Sequence, residues 1–326
     1  MKRRDILKST ATTLAATATL GAAANSASAA SGSFTDEYLN GYHYAKYVPS
    51  GGAAGAPLVV MLHGCAQEPR EFARATGMNA VAEREGFVVV YPDQASLANA
   101  YDCWNWYYDY NTARGSGEGA TITTIAQHAV STESLDSDSV YVAGFSAGAA
   151  MVPNLLAAYP GVYAAGGVHS GLEYDAAETA SGATWSMAYG GPDPYNQGDE
   201  AYAAMQDNGV VGEVPTIVFH GSADYTVDPD NGAQATIQAI QTNDLVTDGS
   251  DDGTVDTTAE ADVSGTTGGY DWRRRRFADE SGRVLVEYWQ VFGMGHDWAG
   301  GDSAESFTAP SAPDASEALW SFFSRW

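Results

Sequence analysis

Three short runs of apolar residues mark the first half of the chain, and none of them alternates with polar positions. They occupy 58–62, 87–92 and 140–143. Continuous apolar runs of this length are typical of strands that a sheet buries on both faces. Between the first two runs, segment 69–85 places apolar residues at helical spacing. A strand, a helix and a strand joined by short turns predict an α/β fold with a mostly parallel sheet flanked by helices.

The remaining apolar pattern predicts further elements around this sheet. Alternating aromatic and polar residues over 34–48 predict a single edge strand, and apolar runs at 163–169 and 216–220 predict two buried strands. Two alternating segments, 272–277 and 284–291, flank a short polar turn and predict a hairpin. The sheet therefore continues well beyond the first unit.

Two stretches lack a regular pattern. Residues 181–200 are rich in Gly, Pro and Asp and predict a loop. Residues 243–270 form an acidic, low-complexity segment of Asp, Gly, Thr and Ser, which predicts a solvated, mobile insert. An amphipathic pattern over 312–326 predicts a C-terminal helix after the insert and hairpin.

Charge narrows the range of partners. The chain has 326 residues, of which 41 are acidic and 15 basic, and its formal net charge is −26. Such a surface repels nucleic acid and anionic membranes, so we expect neither as a partner. The four arginines at 273–276 are expected to pair with acidic side chains. Abundant Asp and Glu with only three lysines suggest a protein adapted to concentrated salt.

The first 29 residues predict an export signal. The segment Lys-Arg-Arg-Asp-Ile-Leu-Lys at 2–8 resembles a twin-arginine signal, and Ala27-Ser28-Ala29 suits a cleavage site. The stretch between them is too weakly apolar for a membrane span. The alternative is a disordered basic tail. We expect a secreted protein with a signal peptide at 1–29 and one catalytic domain at 30–326.

Cys65 and Cys103 are the two cysteines of the chain. An even number of cysteines in an exported protein favours a disulfide, and the alternative is two buried thiols.

Candidate chemistry begins with the pentapeptide Gly-Phe-Ser-Ala-Gly at 144–148. It follows the apolar run at 140–143 and precedes helix-forming residues, which is the strand–turn–helix setting of a nucleophile elbow. A serine hydroxyl needs a neighbouring base and an acid that orients the base. The sequence therefore nominates Ser146 as a nucleophile.

The base and acid are expected later in the chain, each on a loop after a strand. Two histidines, His220 and His296, follow Ser146 at sufficient distance. His296 lies in a glycine-rich loop after the strand at 284–291 and is the candidate base. Asp224 follows the strand at 216–220 and is the candidate acid, with Asp228 as the alternative.

Other residues have candidate roles around Ser146. The N–H groups of Ala147 and Cys65 are expected to bind the oxyanion of a tetrahedral intermediate. Trp104, Trp106 and Trp298 are expected to form an apolar wall for substrate, although Trp104 and Trp106 could equally be core residues. We find no phosphate loop, dinucleotide fingerprint or metal-ligand cluster, so we expect no cofactor and no metal.

Several motifs together resemble the polyhydroxybutyrate (PHB) depolymerase esterase family over about residues 35–326. They are Leu62-His63-Gly64-Cys65-Ala66-Gln67, Cys103-Trp104-Asn105-Trp106, Gly144-Phe145-Ser146-Ala147-Gly148, His220-Gly221-Ser222-Ala223-Asp224 and Gly295-His296-Asp297-Trp298. The resemblance implies an α/β-hydrolase fold, a triad of Ser146, Asp224 and His296, and ester hydrolysis through an acyl-enzyme. The same family includes feruloyl and acetylxylan esterases.

We therefore expect a secreted serine esterase that acts on hydroxybutyrate-type polyesters or their oligomers. The alternatives are a carbohydrate esterase that removes feruloyl or acetyl groups, and a catalytically silent binding protein with the same fold.

Overall fold

The computed structural model describes residues 31–326, so the predicted export signal lies outside the described residues. The strands are β1 (Ser33–Leu39), β2 (Tyr42–Val48), β3 (Leu58–Leu62), β4 (Val88–Pro92), β5 (Val140–Phe145), β6 (Ala165–His169), β7 (Thr216–Gly221), β8 (Ala261–Thr267), β9 (Tyr270–Ala278), β10 (Val284–Val291), β11 (Trp298–Ala299) and β12 (Thr308–Ala309). The helices are α1 (Pro69–Thr76), α2 (Met78–Glu85), α3 (Asp109–Thr112), α4 (Gly117–Glu133), α5 (Ala147–Ala158), α6 (Ala180–Tyr189), α7 (Pro194–Asp207), α8 (Pro229–Asp248) and α9 (Ala315–Phe323).

One mixed sheet of ten strands organises this part of the chain, in the order β1-β2-β4-β3-β5-β6-β7-β10-β9-β8. The six strands from β4 to β10 in this order pair in parallel, and the outer strands pair antiparallel. Every residue of β3, β4, β5, β6 and β7 is buried, which explains the continuous apolar sequences of the first three. The predicted α/β fold with a mostly parallel sheet is confirmed.

A hydrophobic core lies on each face of the sheet. On one face, Ile122 of α4 and Met151 of α5 pack in the larger cluster. On the other face, Phe72 of α1 and Leu319 of α9 belong to the second cluster. No helix in residues 31–326 has both the length and the apolar character needed to cross a bilayer.

In two places the sequence predicts one element where the structure has two. Segment 34–48 is a hairpin, because Asn40 and Gly41 both adopt positive φ (54° and 88°) and turn the chain between β1 and β2. The helix predicted over 69–85 is interrupted at Gly77, whose φ of 67° ends α1 and starts α2.

Two predicted irregular stretches contain regular structure. Residues 181–200 were expected to be a loop, but they contain most of α6 and the first half of α7. The irregular insert expected at 243–270 is shorter than predicted, because α8 extends to Asp248 and β8 pairs with β9. The loop between α8 and β8 is held by Asp244 of α8. The side chain of Asp244 accepts hydrogen bonds from the backbone N–H groups of residues 252, 253 and 255.

Candidate active site

Ser146 occupies a strained turn between β5 and α5. Its φ of 54° and ψ of −120° lie outside the ordinary regions for a residue with a side chain. A Cβ on Gly144 would lie 2.4 Å from the carbonyl carbon of Gly148, and one on Gly148 would lie 2.2 Å from the carbonyl oxygen of Leu62. Both glycines are therefore required for the chain to bend this sharply beneath the serine.

The structure brings Ser146, His296 and Asp224 together in one hydrogen-bonded chain. His296 Nε2 lies 2.9 Å from Ser146 Oγ, and His296 Nδ1 lies 2.7 Å from Asp224 Oδ2. A carboxylate can only accept, so Nδ1 carries the proton and Nε2 is free to accept the serine proton. This arrangement can activate the hydroxyl for nucleophilic attack.

Asp224 is buried and held as an anion. Burial raises the pKa of its carboxyl group, but hydrogen bonds from His220, His296 and the backbone N–H of Val227 outweigh burial and keep the pKa well below its usual range. Oδ1 accepts from the N–H groups of Thr226 and Val227, each at 2.9 Å. The alternative acid, Asp228, instead caps α8 by accepting from the N–H of Asp230.

The loop that contains Cys65 lies beside the serine. A Cβ on Gly64 would come within 3.3 Å of Ser146 Cβ. Ala147 is the first residue of α5, so its N–H has no carbonyl partner inside the helix. Within residues 31–326, no hydrogen bond uses the N–H of Cys65. Both predicted oxyanion donors are thus unoccupied N–H groups on segments next to Ser146.

Comparison with known proteins identifies the family. The family model for esterase PHB depolymerase matches residues 42–262. This chain belongs to the PHB depolymerase esterase family.

The names of relatives in this family refer to different esters. Poly(3-hydroxyalkanoate) depolymerase C of Paucimonas lemoignei is 36% identical over 77% of this chain and 57% of its own length. Feruloyl esterase B of Thermothelomyces thermophilus is 31% identical over 58% of this chain and 66% of its own length. The chain thus spans less than two thirds of either relative.

A solved structure supports the fold assignment. The acetyl xylan esterase from Aspergillus awamori matches 90% of this chain and 99% of its own chain, with a TM-score of 0.68 and 19% identity. At this identity the likeness shows the α/β-hydrolase fold.

A disulfide joins Cys65 to Cys103, as the even number of cysteines predicted. The Ala66 N–H also donates to the Tyr101 carbonyl oxygen at 2.8 Å. The loop beside Ser146 is therefore attached to the aromatic loop after β4 by one covalent bond and one hydrogen bond.

A buried polar network that the sequence analysis missed supports the same loop. His63 Nδ1 donates to the Gly64 carbonyl oxygen at 2.8 Å, and its Nε2 accepts from the Gln94 N–H at 3.1 Å. Burial lowers the pKa of His63, so the ring is neutral. The Gln94 side chain donates to Glu118 and to the Cys103 carbonyl oxygen. The position of His63 directly after an apolar strand was the available sequence signal.

His169 plays a similar part under the loop of the candidate base. Its Nε2 accepts from the Ala299 N–H at 2.9 Å, and its ring stacks on Trp298 with centroids 4.6 Å apart. Burial holds the pKa of His169 well below its usual range. A neutral imidazole can accept this bond, so it anchors the chain three residues after His296.

The three predicted substrate-wall tryptophans are buried in the core. Trp104, Trp106 and Trp298 are 2%, 3% and 1% exposed. The Trp298 ring packs between His169 and Phe72. The expectation of an accessible wall is therefore wrong, because these rings fill space behind the site. For Trp104 and Trp106, the core alternative describes the structure.

No group of three or more His, Cys, Asp or Glu side chains among residues 31–326 is arranged to hold a metal ion.

Proposed function

We propose that this family member is a serine esterase that hydrolyses poly(3-hydroxybutyrate)-type polyesters or their oligomers. The observation that supports this proposal is the hydrogen-bonded chain from Ser146 through His296 to a buried, anionic Asp224.

The proposed reaction passes through an acyl-enzyme. Ser146 Oγ attacks the ester carbonyl carbon while its proton moves to His296 Nε2. Asp224 stabilises the resulting imidazolium. The tetrahedral intermediate then collapses, the bond to the alcohol oxygen breaks, and the departing alcohol takes the proton from His296. Water, deprotonated by His296, repeats the sequence on the acyl-enzyme and releases the acid.

The oxyanion of each tetrahedral intermediate would be bound by the N–H groups of Ala147 and Cys65. Their freedom from other hydrogen bonds supports this role, since an oxyanion hole needs donors aimed at the site in advance. The disulfide and His63 would hold the second donor in place.

A polyester is favoured as substrate because the depolymerase relative shares more identity over more of the chain than the feruloyl esterase does. Removal of feruloyl or acetyl groups from polysaccharide is the second candidate. The esterase of the same fold from Aspergillus awamori and the feruloyl esterase relative support that candidate.

The test uses variants of the proposed triad on a soluble p-nitrophenyl ester. We expect Ser146→Ala to lower kcat by about 10⁶-fold. Asp224→Asn should lower it by about 10⁴-fold, because the amide favours the wrong tautomer of His296. Ser139→Ala, at the opposite end of β5, is the matched control and should leave kcat unchanged. Undiminished hydrolysis by Ser146→Ala would refute the catalytic proposal and favour a binding protein.

Substrate choice needs a second measurement with the unmodified protein. We expect clearing of a PHB suspension and little ferulate release from methyl ferulate. The opposite result would establish the carbohydrate-esterase alternative.

We also propose that the protein is exported, on the basis of the twin-arginine-like segment at 2–8 and the disulfide. N-terminal sequencing of protein from the culture medium should find a chain that begins at Ala30. Full-length protein retained inside the cell would contradict export.

A further inference from the structure

Helix α6 has no charged residue although most of it is not buried. Its ten residues, Ala-Ser-Gly-Ala-Thr-Trp-Ser-Met-Ala-Tyr, include no charged side chain. Only Ala183 and Ser186 are buried in the helix. Trp185 and Tyr189 lie one turn apart, with ring centroids 4.5 Å from each other, and are 66% and 68% exposed. Two large rings that contact each other in solvent indicate a surface that binds something else.

This helix is attached to the segment that follows the candidate acid. The Asp228 N–H donates to the Met187 carbonyl oxygen at 2.7 Å, and the Asn231 side chain donates to the Ser186 carbonyl oxygen at 2.9 Å. Both donors belong to the chain between Asp224 and the first turn of α8. The helix therefore lies at the carboxyl edge of the parallel strands, where Ser146 and His296 also lie.

Tyr225 is a further exposed aromatic residue, on the segment between Asp224 and Asp228. It is the residue directly after Asp224, and 97% of its surface is exposed. We refer to the contacting rings of Trp185 and Tyr189 as the aromatic surface.

The chemistry of this surface favours an apolar, uncharged solid as its partner. A polymer particle cannot enter a pocket, so the outer surface around the active site must make the first contact. Sugars are held by hydrogen bonds as well as by stacking, and α6 offers only small hydroxyl groups beside its rings. Because α6 itself has no carboxylate, the helix offers a basic protein no ion pair.

We propose that the aromatic surface adsorbs the enzyme to a solid, neutral polyester and presents that polymer to Ser146. This inference rests on the proposed function, and its substrate would be the polymer rather than a dissolved oligomer.

Adsorption is tested in the Ser146→Ala background, so that the polymer is not degraded. We measure how much protein a PHB suspension removes from solution. The Ser146→Ala protein is compared with the same protein that also carries Trp185→Ala and Tyr189→Ala. We expect the partition coefficient to fall about tenfold or more, because two aromatic contacts are lost. Trp185→Phe with Tyr189→Phe should retain most adsorption.

The matched control is Tyr38→Ala, which removes a ring that is 71% exposed on β1, at the distant edge of the sheet. It should leave adsorption unchanged. An equal loss in this control, or no loss in the double variant, would overturn the proposal. Stronger loss of binding to insoluble xylan than to PHB would also overturn it.

Two activity measurements distinguish a failure of adsorption from a failure of the proposed esterase function. With Ser146 restored, the double variant should clear PHB slowly while it hydrolyses the soluble p-nitrophenyl ester at the normal kcat/KM. If both rates fall together, the aromatic surface acts on the active site itself and the adsorption proposal is wrong.

Discussion

Three buried histidines whose side chains form no hydrogen bond with Ser146 connect separate parts of the candidate site. His63 binds the backbone beside the serine, and His169 binds the backbone after the candidate base. His220 donates to the Val227 carbonyl oxygen at 2.9 Å and lies 3.5 Å from Asp224. Each histidine follows or ends a buried strand. Each imidazole bonds a backbone group with one ring nitrogen, and the His63 ring both donates to one backbone group and accepts from another.

Glu173 is the most unfavourably placed acidic side chain near the site. It is fully buried in the loop after β6, and neither carboxyl oxygen has a hydrogen-bond partner in residues 31–326. Burial, with a smaller effect of Asp193, raises its pKa to about 8. The folded protein therefore keeps this group protonated at neutral pH, whereas the unfolded chain ionises it near 4.5.

This difference predicts a loss of stability as pH rises from about 4.5 through 8, because the folded state binds one more proton in that range. The contribution is on the order of 5 kcal/mol. We expect Glu173→Gln to flatten the dependence of the urea midpoint on pH between 5 and 9. The exposed Glu178→Gln is the control and should keep the slope of the unmodified protein. Equal slopes in all three proteins would contradict the prediction.

At the scale of elements, the buried strands were predictable and several surface elements were not. Strands β3, β4 and β5 consist of apolar residues because both of their faces are covered, and β7 has an apolar run between Thr216 and His220, so these sequences carry the signal. Strand β8 is polar and lies at the sheet edge, where pairing with β9 and an Arg273–Asp262 ion pair support it. β9 follows β8 after the two-residue turn Gly268-Gly269, so this pairing is local, and the polar, low-complexity composition of the segment led to the prediction of an irregular insert.

The prediction of a loop where α7 lies was wrong for a different reason. Asp193 and Pro194 contributed to the prediction of a loop, but they start the helix. The Asp193 side chain accepts from the Tyr195 N–H, and Pro194 occupies the first turn. These are standard signals for a helix N-terminus.

The grouping of Ser146, Asp224 and His296 was predictable because each residue follows an apolar strand in the expected order. The supporting contacts of His63 and His169 were not predictable. They depend on which loops the fold places above each imidazole, and those loops lie far away in sequence.

The disulfide supplies a prediction at the same scale. It closes a loop with a sequence separation of 38 residues, and its removal should lower the free energy of unfolding by about 4 kcal/mol in the chain-entropy model. The double variant Cys65→Ala with Cys103→Ala should melt earlier and show a lower kcat, since Cys65 carries a proposed oxyanion donor. A reductant should lower the Tm of the unmodified protein and leave the variant unaffected. Identical melting with and without reductant would be inconsistent with this role.

At the scale of the whole molecule, the dominant property is the net charge of −26. Repulsion among carboxylates opposes compaction, and salt screens it as the Debye length falls to about 3 Å at 1 M. Ion pairs such as Arg276–Glu287 offset only a small part of this repulsion, since basic residues are few.

We therefore predict that Tm rises with added KCl up to the molar range. Sucrose at matched osmolality is the control for effects that do not depend on charge. A protein that is most stable and most active without salt would exclude adaptation to brine.

The direct pairing of β6 with β7 has a consequence for the diversity of this family. Residues 170–215 connect β6 to β7. Because these strands are neighbours in the sheet, the two ends of the segment lie close together. It contains α6 with its two exposed rings, but none of Ser146, Asp224 and His296. A graft of this segment between relatives would exchange the proposed adsorption surface while the three candidate catalytic residues stay in place.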